Sequence, residues 1–271
     1  MKRTLPKGLG AVVTGAGGGL GRAFCAELAQ AGARVVVSDV AAEAAEETAA
    51  LVRELGGEAR VVLADVANWD SVQSLEAASV EWLGEVDMLI NNAGVVVRGA
   101  VEETSLEDWE WVMGVNVWGV VHGLRAFLPA IRTRGTGYII NVASIAGLVA
   151  FPRMGAYNAT KAAVVSLSET IYSDLITTDV KVAVVCPTVF QTGIMDAARG
   201  EFPEEVDQRI GRRMEKAKVQ APEIARLALD TVLKGDLYCS PMREGTVAWW
   251  LKRLCPQFVQ KHLTTRKSSQ G

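Results

Sequence analysis

Short aliphatic runs alternate with longer stretches of helical spacing, and this alternation constrains the fold more than any other feature. The apolar runs are GAVVTG (10–15), ARVVVSD (33–39), ARVVLAD (59–65), VDMLINNAG (86–94), GYIINVAS (137–144) and VKVAVVCP (180–187). Between them lie helix-like segments at 19–31, 41–55, 69–83, about 106–134 with one break allowed, and 155–178. Strands that are apolar throughout belong in a parallel sheet covered on both faces. Right-handed crossovers then make the fold doubly wound α/β. A further helix is expected to open at Ala221-Pro222-Glu223, with Pro222 near its first turn, and to run to about Lys234, and LYCS (237–240) is expected as a seventh strand.

The chain has 271 residues, 49% hydrophobic and 22% charged. That balance excludes a disordered chain and a collagen-like repeat. The simplest division is one domain over residues 1–240 and an appendage over 241–271. The formal net charge of −3 argues against a nucleic-acid partner. From Pro241 onward, however, six bases (Arg243, Lys252, Arg253, Lys261, Arg266, Lys267) face one acid (Glu244), a net of +5, which leaves −8 on the body. Cys25, Cys186, Cys239 and Cys255 form no CxxC pair, and there are two histidines, so no metal site is expected. Scattered cysteines fit a reducing compartment, and a cytoplasmic location is expected. The apolar run Leu9–Val13 after the basic start is too short for a signal peptide. No apolar stretch reaches the ~18 residues of a membrane span.

The first strand runs into Thr14-Gly15-Ala16-Gly17-Gly18-Gly19-Leu20-Gly21. Glycines let the backbone turn sharply beside a pyrophosphate, and the following helix offers its free N–H groups. A glycine run alone also fits a tight turn, but its place between strand and helix points to a dinucleotide site of the Rossmann type. Asp39 ends the second strand, 18 residues after Gly21. A carboxylate there accepts hydrogen bonds from the adenosine ribose and repels a 2′-phosphate. NAD is therefore expected over NADP. Arg22 is the one nearby base and also fits a surface role.

Tyr157 and Lys161 stand four apart on an expected helix and share a face. A tyrosine titrates near ~10, and a neighbouring ammonium favours its phenolate. Ser144 ends the fifth strand and Asn91-Asn92-Ala93-Gly94 the fourth, at the sheet edge where doubly wound folds bind ligands. With these motifs in order, the chain resembles the short-chain dehydrogenase/reductase family in its compact, single-domain branch. TGAGGGLG (14–21), Asp65-Val66, NNAG (91–94), Asn116, Ser144 and YNATK (157–161) carry the resemblance, over residues 10 to about 195.

The resemblance implies roles residue by residue. Tyr157 would be the general acid–base. Lys161 would hold the nicotinamide ribose and lower the tyrosine pKa. Ser144 would orient the substrate oxygen, and Asn116 would anchor a proton-relaying water. Gly15, Gly19, Leu20 and Gly21 would line the pyrophosphate, Asp65 and Val66 the adenine. Asn92, Ala93 and Gly94 would pass beside the cofactor, with Pro187 and Val189 near it. Thr192 would bond the carboxamide. Where the family often has Pro-Gly after strand six, this chain has Pro187-Thr188.

The expected activity is an NAD-dependent interconversion of a lipophilic secondary alcohol and its ketone. The pocket residues expected are Val96, Ala146, Leu148, Phe151, Met154, Thr188, Met195 and Phe202, beneath a helical lid over about 191–216. Plain core packing is the alternative for each. Reduction of a 3-oxoacyl thioester is a second functional reading, and a silent dinucleotide sensor or scaffold a third. Trp109, Trp111 and Trp118 suggest core or subunit contact, and the resemblance implies a homodimer or homotetramer. His122 is read as a packed histidine. The arm 241–271 is expected to hold a helix over 245–254, with Val247, Trp250, Leu251 and Leu254 on one side. Pro256 breaks it, and Phe258, Val259 and Leu263 continue the pattern. Packing on the body or a neighbour is the reading preferred to an interfacial membrane segment. The final TTRKSSQG is expected to be disordered.

Overall fold

The computed structural model describes residues 4–195 and 197–265, the last three of these by backbone alone. Seven parallel strands form one sheet: β1 (Gly10–Thr14), β2 (Arg34–Asp39), β3 (Glu58–Leu63), β4 (Met88–Asn91), β5 (Thr136–Val142), β6 (Asp179–Val185) and β7 (Tyr238–Cys239). Their order is β3-β2-β1-β4-β5-β6-β7. The helices are α1 (Gly19–Gln30), α2 (Ala42–Glu54), α3 (Trp69–Leu83), α4 (Leu106–Met113), α5 (Gly119–Arg134), α6 (Ile145–Leu148), α7 (Gly155–Asp174), α8 (Glu204–Glu215), α9 (Ala221–Lys234), α10 (Arg243–Leu254) and α11 (Pro256–Thr265).

The sheet is covered on both faces. Successive strand residues point to opposite sides, so Ala11 and Val13 join Phe24 and Leu28 of α1, Val52 of α2 and Ile224 of α9. Val12 points the other way, to Leu75 of α3, Phe127 and Ile131 of α5 and Val164 of α7. The fold is thus a Rossmann-type, doubly wound single domain. The strand order reverses between β1 and β4, and the carboxyl ends of the strands at such a switch point are where doubly wound folds form their ligand crevice.

Several boundaries differ from expectation for identifiable reasons. The third strand is an edge strand with β2 as its one partner, and its residues are exposed or half-buried rather than core. The fourth ends at Asn91, because Asn92 and Ala93 turn their amides to Thr14 Oγ1. Helix α7 stops at Asp174 because Thr178 bonds Leu175 O through its hydroxyl and receives Val180 N, which turns the chain. The expected break in the long helix is a π-helical turn at Gly114–Trp118. In the tail, α10 begins at Arg243, and Thr264 and Thr265 close α11 rather than being irregular. The rest of TTRKSSQG and the Leu263 side chain lie outside the described residues.

Candidate active site

The glycine loop is shaped by close approaches that only glycine permits. Gly15 has φ of +60°, and a Cβ on it would lie 2.6 Å from Ala93 Cα. A Cβ on Gly21 would lie 2.1 Å from Gly15 O, so α1 starts directly against the turn. No side chain caps α1, which leaves its first-turn N–H groups for an anion. Gly18 has open space beside it. This cradle and donor set fit a dinucleotide pyrophosphate. The Leu20 side chain belongs to the core, so only its backbone can serve there.

Asp39 accepts from Gly17 N at 2.8 Å and from Ala41 N at 3.0 Å, which fixes its carboxylate beside the loop. Arg22 is engaged elsewhere: its guanidinium bonds Gly17 O at 2.7 Å and pairs with Glu47 at 2.8 Å. Asn92 donates to Thr14 O and Gly15 O, both at 2.9 Å, and so braces the loop. Asp65 is exposed and accepts from Ala67 N. Val66 is buried: its side chain packs where Gly119 lacks one, and its carbonyl meets His122 Nδ1 at 2.9 Å. His122 is held between the Trp69 and Trp118 rings. Thr192 brings its hydroxyl to the loop, 2.9 Å from a Cβ built on Gly19.

Four polar residues converge across the crevice. Ser144 ends the β5 segment and caps α6, accepting from Ala146 N at 3.1 Å. Ile145 N donates to Pro187 O at 2.9 Å, which ties this turn to the end of β6. Tyr157 and Lys161 lie on the buried face of α7. Burial pushes the Tyr157 phenol up to about 12, while a hydrogen bond with Ser144 pulls it down. Burial holds Lys161 down at about 8, with the nearby Cys186 acting in the opposite sense. Its ammonium donates to Val142 O at 3.0 Å. Burial therefore dominates the tyrosine, where the resemblance implied a lowered pKa.

Asn116 sits on the π turn, fully buried. It accepts from Val95 N at 2.8 Å and donates to Val95 O at 2.9 Å and Thr160 Oγ1 at 3.0 Å. A Cβ on Gly94 would lie 3.2 Å from Lys161 Nζ and 3.3 Å from Asn116 Oδ1, so both polar atoms border one point.

On the other side of Tyr157 lies an apolar cluster. Val96, Ala146 and Tyr157 are buried together, with Phe151, Met154, Ile194, Met195 and Ala198 packed on them. Five of the expected pocket residues meet here. Leu148 instead belongs to the core behind α7. Phe202 lies under the Arg98 guanidinium, and Thr188 packs against Gly245. Three arginines near the cluster are ion-paired: Arg98 with Asp207 at 2.8 Å, Arg153 with Glu103 at 2.6 Å, and Arg199, whose backbone N–H donates to Val96 O, with Asp108 at 3.3 Å. The expected lid region holds a 3₁₀ turn (Gly193–Met195) and α8. Ile194 and Ala198 lie in the segment expected to close over the substrate but are not singled out by the sequence, since nothing in their local pattern separates them from the loop residues around them.

A doubly wound sheet with a glycine-lined crevice defines the dinucleotide-binding class of α/β proteins. The short chain dehydrogenase family model matches residues 10–201, and the chain belongs to the short-chain dehydrogenase/reductase family of oxidoreductases. A 2-(R)-hydroxypropyl-CoM dehydrogenase of Xanthobacter autotrophicus is 37% identical over 79% of this chain and 87% of its own. A meso-2,3-butanediol dehydrogenase of Serratia marcescens is 35% identical over 78% and 82%. The crystal structure of a family member from Burkholderia phymatum in complex with NAD superposes with a TM-score of 0.87, at 37% identity over 95% of this chain and 96% of that one.

Proposed function

We propose that this protein oxidises a lipophilic secondary alcohol to its ketone, and catalyses the reverse, with NAD. The observation that carries the reading is the buried Tyr157, four residues from Lys161 on α7 and walled by Val96, Ala146, Met154 and Met195. The nicotinamide, when bound, accepts or supplies the hydride. Ser144 and Tyr157 hold the substrate oxygen between them, and Tyr157 takes the hydroxyl proton during oxidation. Lys161 lies beside it, its Nζ 5.8 Å from the centre of the Tyr157 ring, and favours the phenolate by its charge. Asn116 orders the backbone at Val95 and leaves its Oδ1 beside Lys161. The loop Gly15–Gly21 holds the pyrophosphate, and Thr192 closes against it.

Two observations support NAD over NADP. Asp39 places a carboxylate at the end of β2, and Arg22, the base next to the glycine loop in the sequence, is already paired with Glu47. The Burkholderia phymatum relative also carries NAD. The apolar cluster, with the nearby Arg98, Arg153 and Arg199 ion-paired, supports an uncharged substrate. Assembly into a homodimer or homotetramer belongs to the same reading, and the exposed Leu106 and Trp118 of the α4–α5 face support it.

The test is a panel of secondary alcohols with NAD and with NADP, followed by NADH absorbance. Turnover with NAD is expected, and Tyr157→Phe should lower kcat by roughly 10²–10⁴-fold while NADH binding, read by its fluorescence, persists. Near-normal turnover in that variant would sink the assignment.

A further inference from the structure

The carboxy-terminal arm takes no part in the proposed reaction, and it turns an apolar stripe away from the body. Val247, Trp250, Leu251, Leu254 and Phe258 are exposed, from 44% at Leu251 to 76% at Leu254. The first four recur at helical spacing along α10, and Phe258 follows on α11. The arm's other side already has a partner. Gly245 packs on Thr188 and Ile145, the Trp249 ring packs at a tilt against Tyr238, and Val259 is buried. One exposed leucine is ordinary, but a contiguous apolar stripe marks a contact surface.

Charge identifies what covers the stripe. From Gly245 to Gly271 the sequence holds Lys252, Arg253, Lys261, Arg266 and Lys267 and no acid. Arg253 and Lys261 are exposed, and the Arg253 guanidinium lies 5.2 Å over the Trp249 ring, at the margin between the arm's packed side and the stripe. Two copies paired arm to arm across a two-fold axis would set these bases against one another. An anionic bilayer offers both complements, negative headgroups for the bases and a shallow apolar layer for the stripe. The body, at −8, is repelled by the same surface, which turns the arm toward it. No helix among the described residues is long and apolar enough to cross a membrane, so the contact is peripheral.

We propose that α10 and α11 form a docking face for an anionic lipid surface. Trp250, Leu254 and Phe258 enter the headgroup layer, and Arg253 and Lys261 meet the lipid phosphates. The inference is independent of the substrate.

The test is flotation of the full chain with phosphatidylcholine vesicles, with and without phosphatidylglycerol. Co-flotation is expected only with phosphatidylglycerol, and high salt should release the protein. The double variant Trp250→Glu/Leu254→Glu should stay unbound, with its circular-dichroism melt and its NADH-binding fluorescence unchanged. Arg253→Glu/Lys261→Glu should bind at least about 25-fold more weakly, roughly fivefold for each base removed. This second pair keeps the test decisive if the first does not fold. Wild-type protein that fails to float overturns the proposal, as does flotation unaffected by the charge reversals. Light scattering that shows Trp250→Glu/Leu254→Glu lowering the particle mass also overturns it, since the face would then be a subunit contact.

Discussion

Tyr157 and Lys161 are buried on the same helix face, and burial disfavours the charged form of each. The lysine gives a direct test. Its folded value is about 8, against an ordinary 10.5. Between these values the unfolded chain binds more protons at this site than the folded one, so stability rises with pH across that window. Below it the cost of burying the ammonium is fully present. Lys161→Met removes this slope. The wild type should therefore gain on the variant, by on the order of 1–3 kcal/mol, as urea titrations are repeated from about pH 8 to pH 10. Parallel stabilities across the window would show that burial does not act on Lys161 as argued. Tyr157 acts in the opposite sense, and only above its ordinary value of 10. At this scale the sequence was informative where chemistry follows local spacing. Tyr157 and Lys161 share a face because a helix repeats every 3.6 residues. Thr160 bonding Asn116, or Ile194 and Ala198 reaching Tyr157, depends on segments distant in the chain. No local pattern carries that information.

Helix α10 is fastened to elements that carry the candidate site. Lys252 Nζ donates to Leu148 O at 2.7 Å, and Thr188 N meets Met242 Sδ at 3.4 Å. A Cβ on Gly245 would lie 2.8 Å from Thr188 Cγ2 and 3.3 Å from Ile145 Cδ1. The departure from Pro-Gly at Thr188 is therefore matched by a glycine on the arm. Gly245→Val should overpack this contact and destabilise the fold by about 1–3 kcal/mol. Thr188→Ser removes the opposing methyl and should recover part of the loss, measured as coupling in a double-mutant cycle by urea unfolding. Purely additive effects would mean that the two residues do not press on each other. Sequence pattern located the strands well, because a central parallel strand is apolar on both faces. It overestimated the burial of β3, because a run such as ARVVL does not reveal how many neighbours its strand has. It also grouped Val247, Trp250, Leu251 and Leu254 on one side of α10. It could not say whether that side faces in, since amphipathic spacing fixes a face but not its partner.

At the scale of the whole molecule, the division into an acidic body and a basic arm describes the charge but not the packing. The arm contributes Met242 and Val259 to the buried set and, through Gly245, packs on both Ile145 and Thr188. Burying two such side chains stabilises by about 3–6 kcal/mol in total. Sheet, crevice and candidate catalytic residues all lie before Ser240. A chain ending at Ser240 should therefore keep a cooperative transition but melt lower, by on the order of 10 °C. It should also expose apolar surface around Tyr238 and Leu148 that binds a hydrophobic dye. Differential scanning calorimetry and dye fluorescence on the full and shortened chains measure both effects. An unchanged melting temperature would mean that the arm rests on the body without stabilising it. Loss of the cooperative transition would mean that the arm is part of the single folding unit, and that the boundary at residue 240 marks only a change of charge.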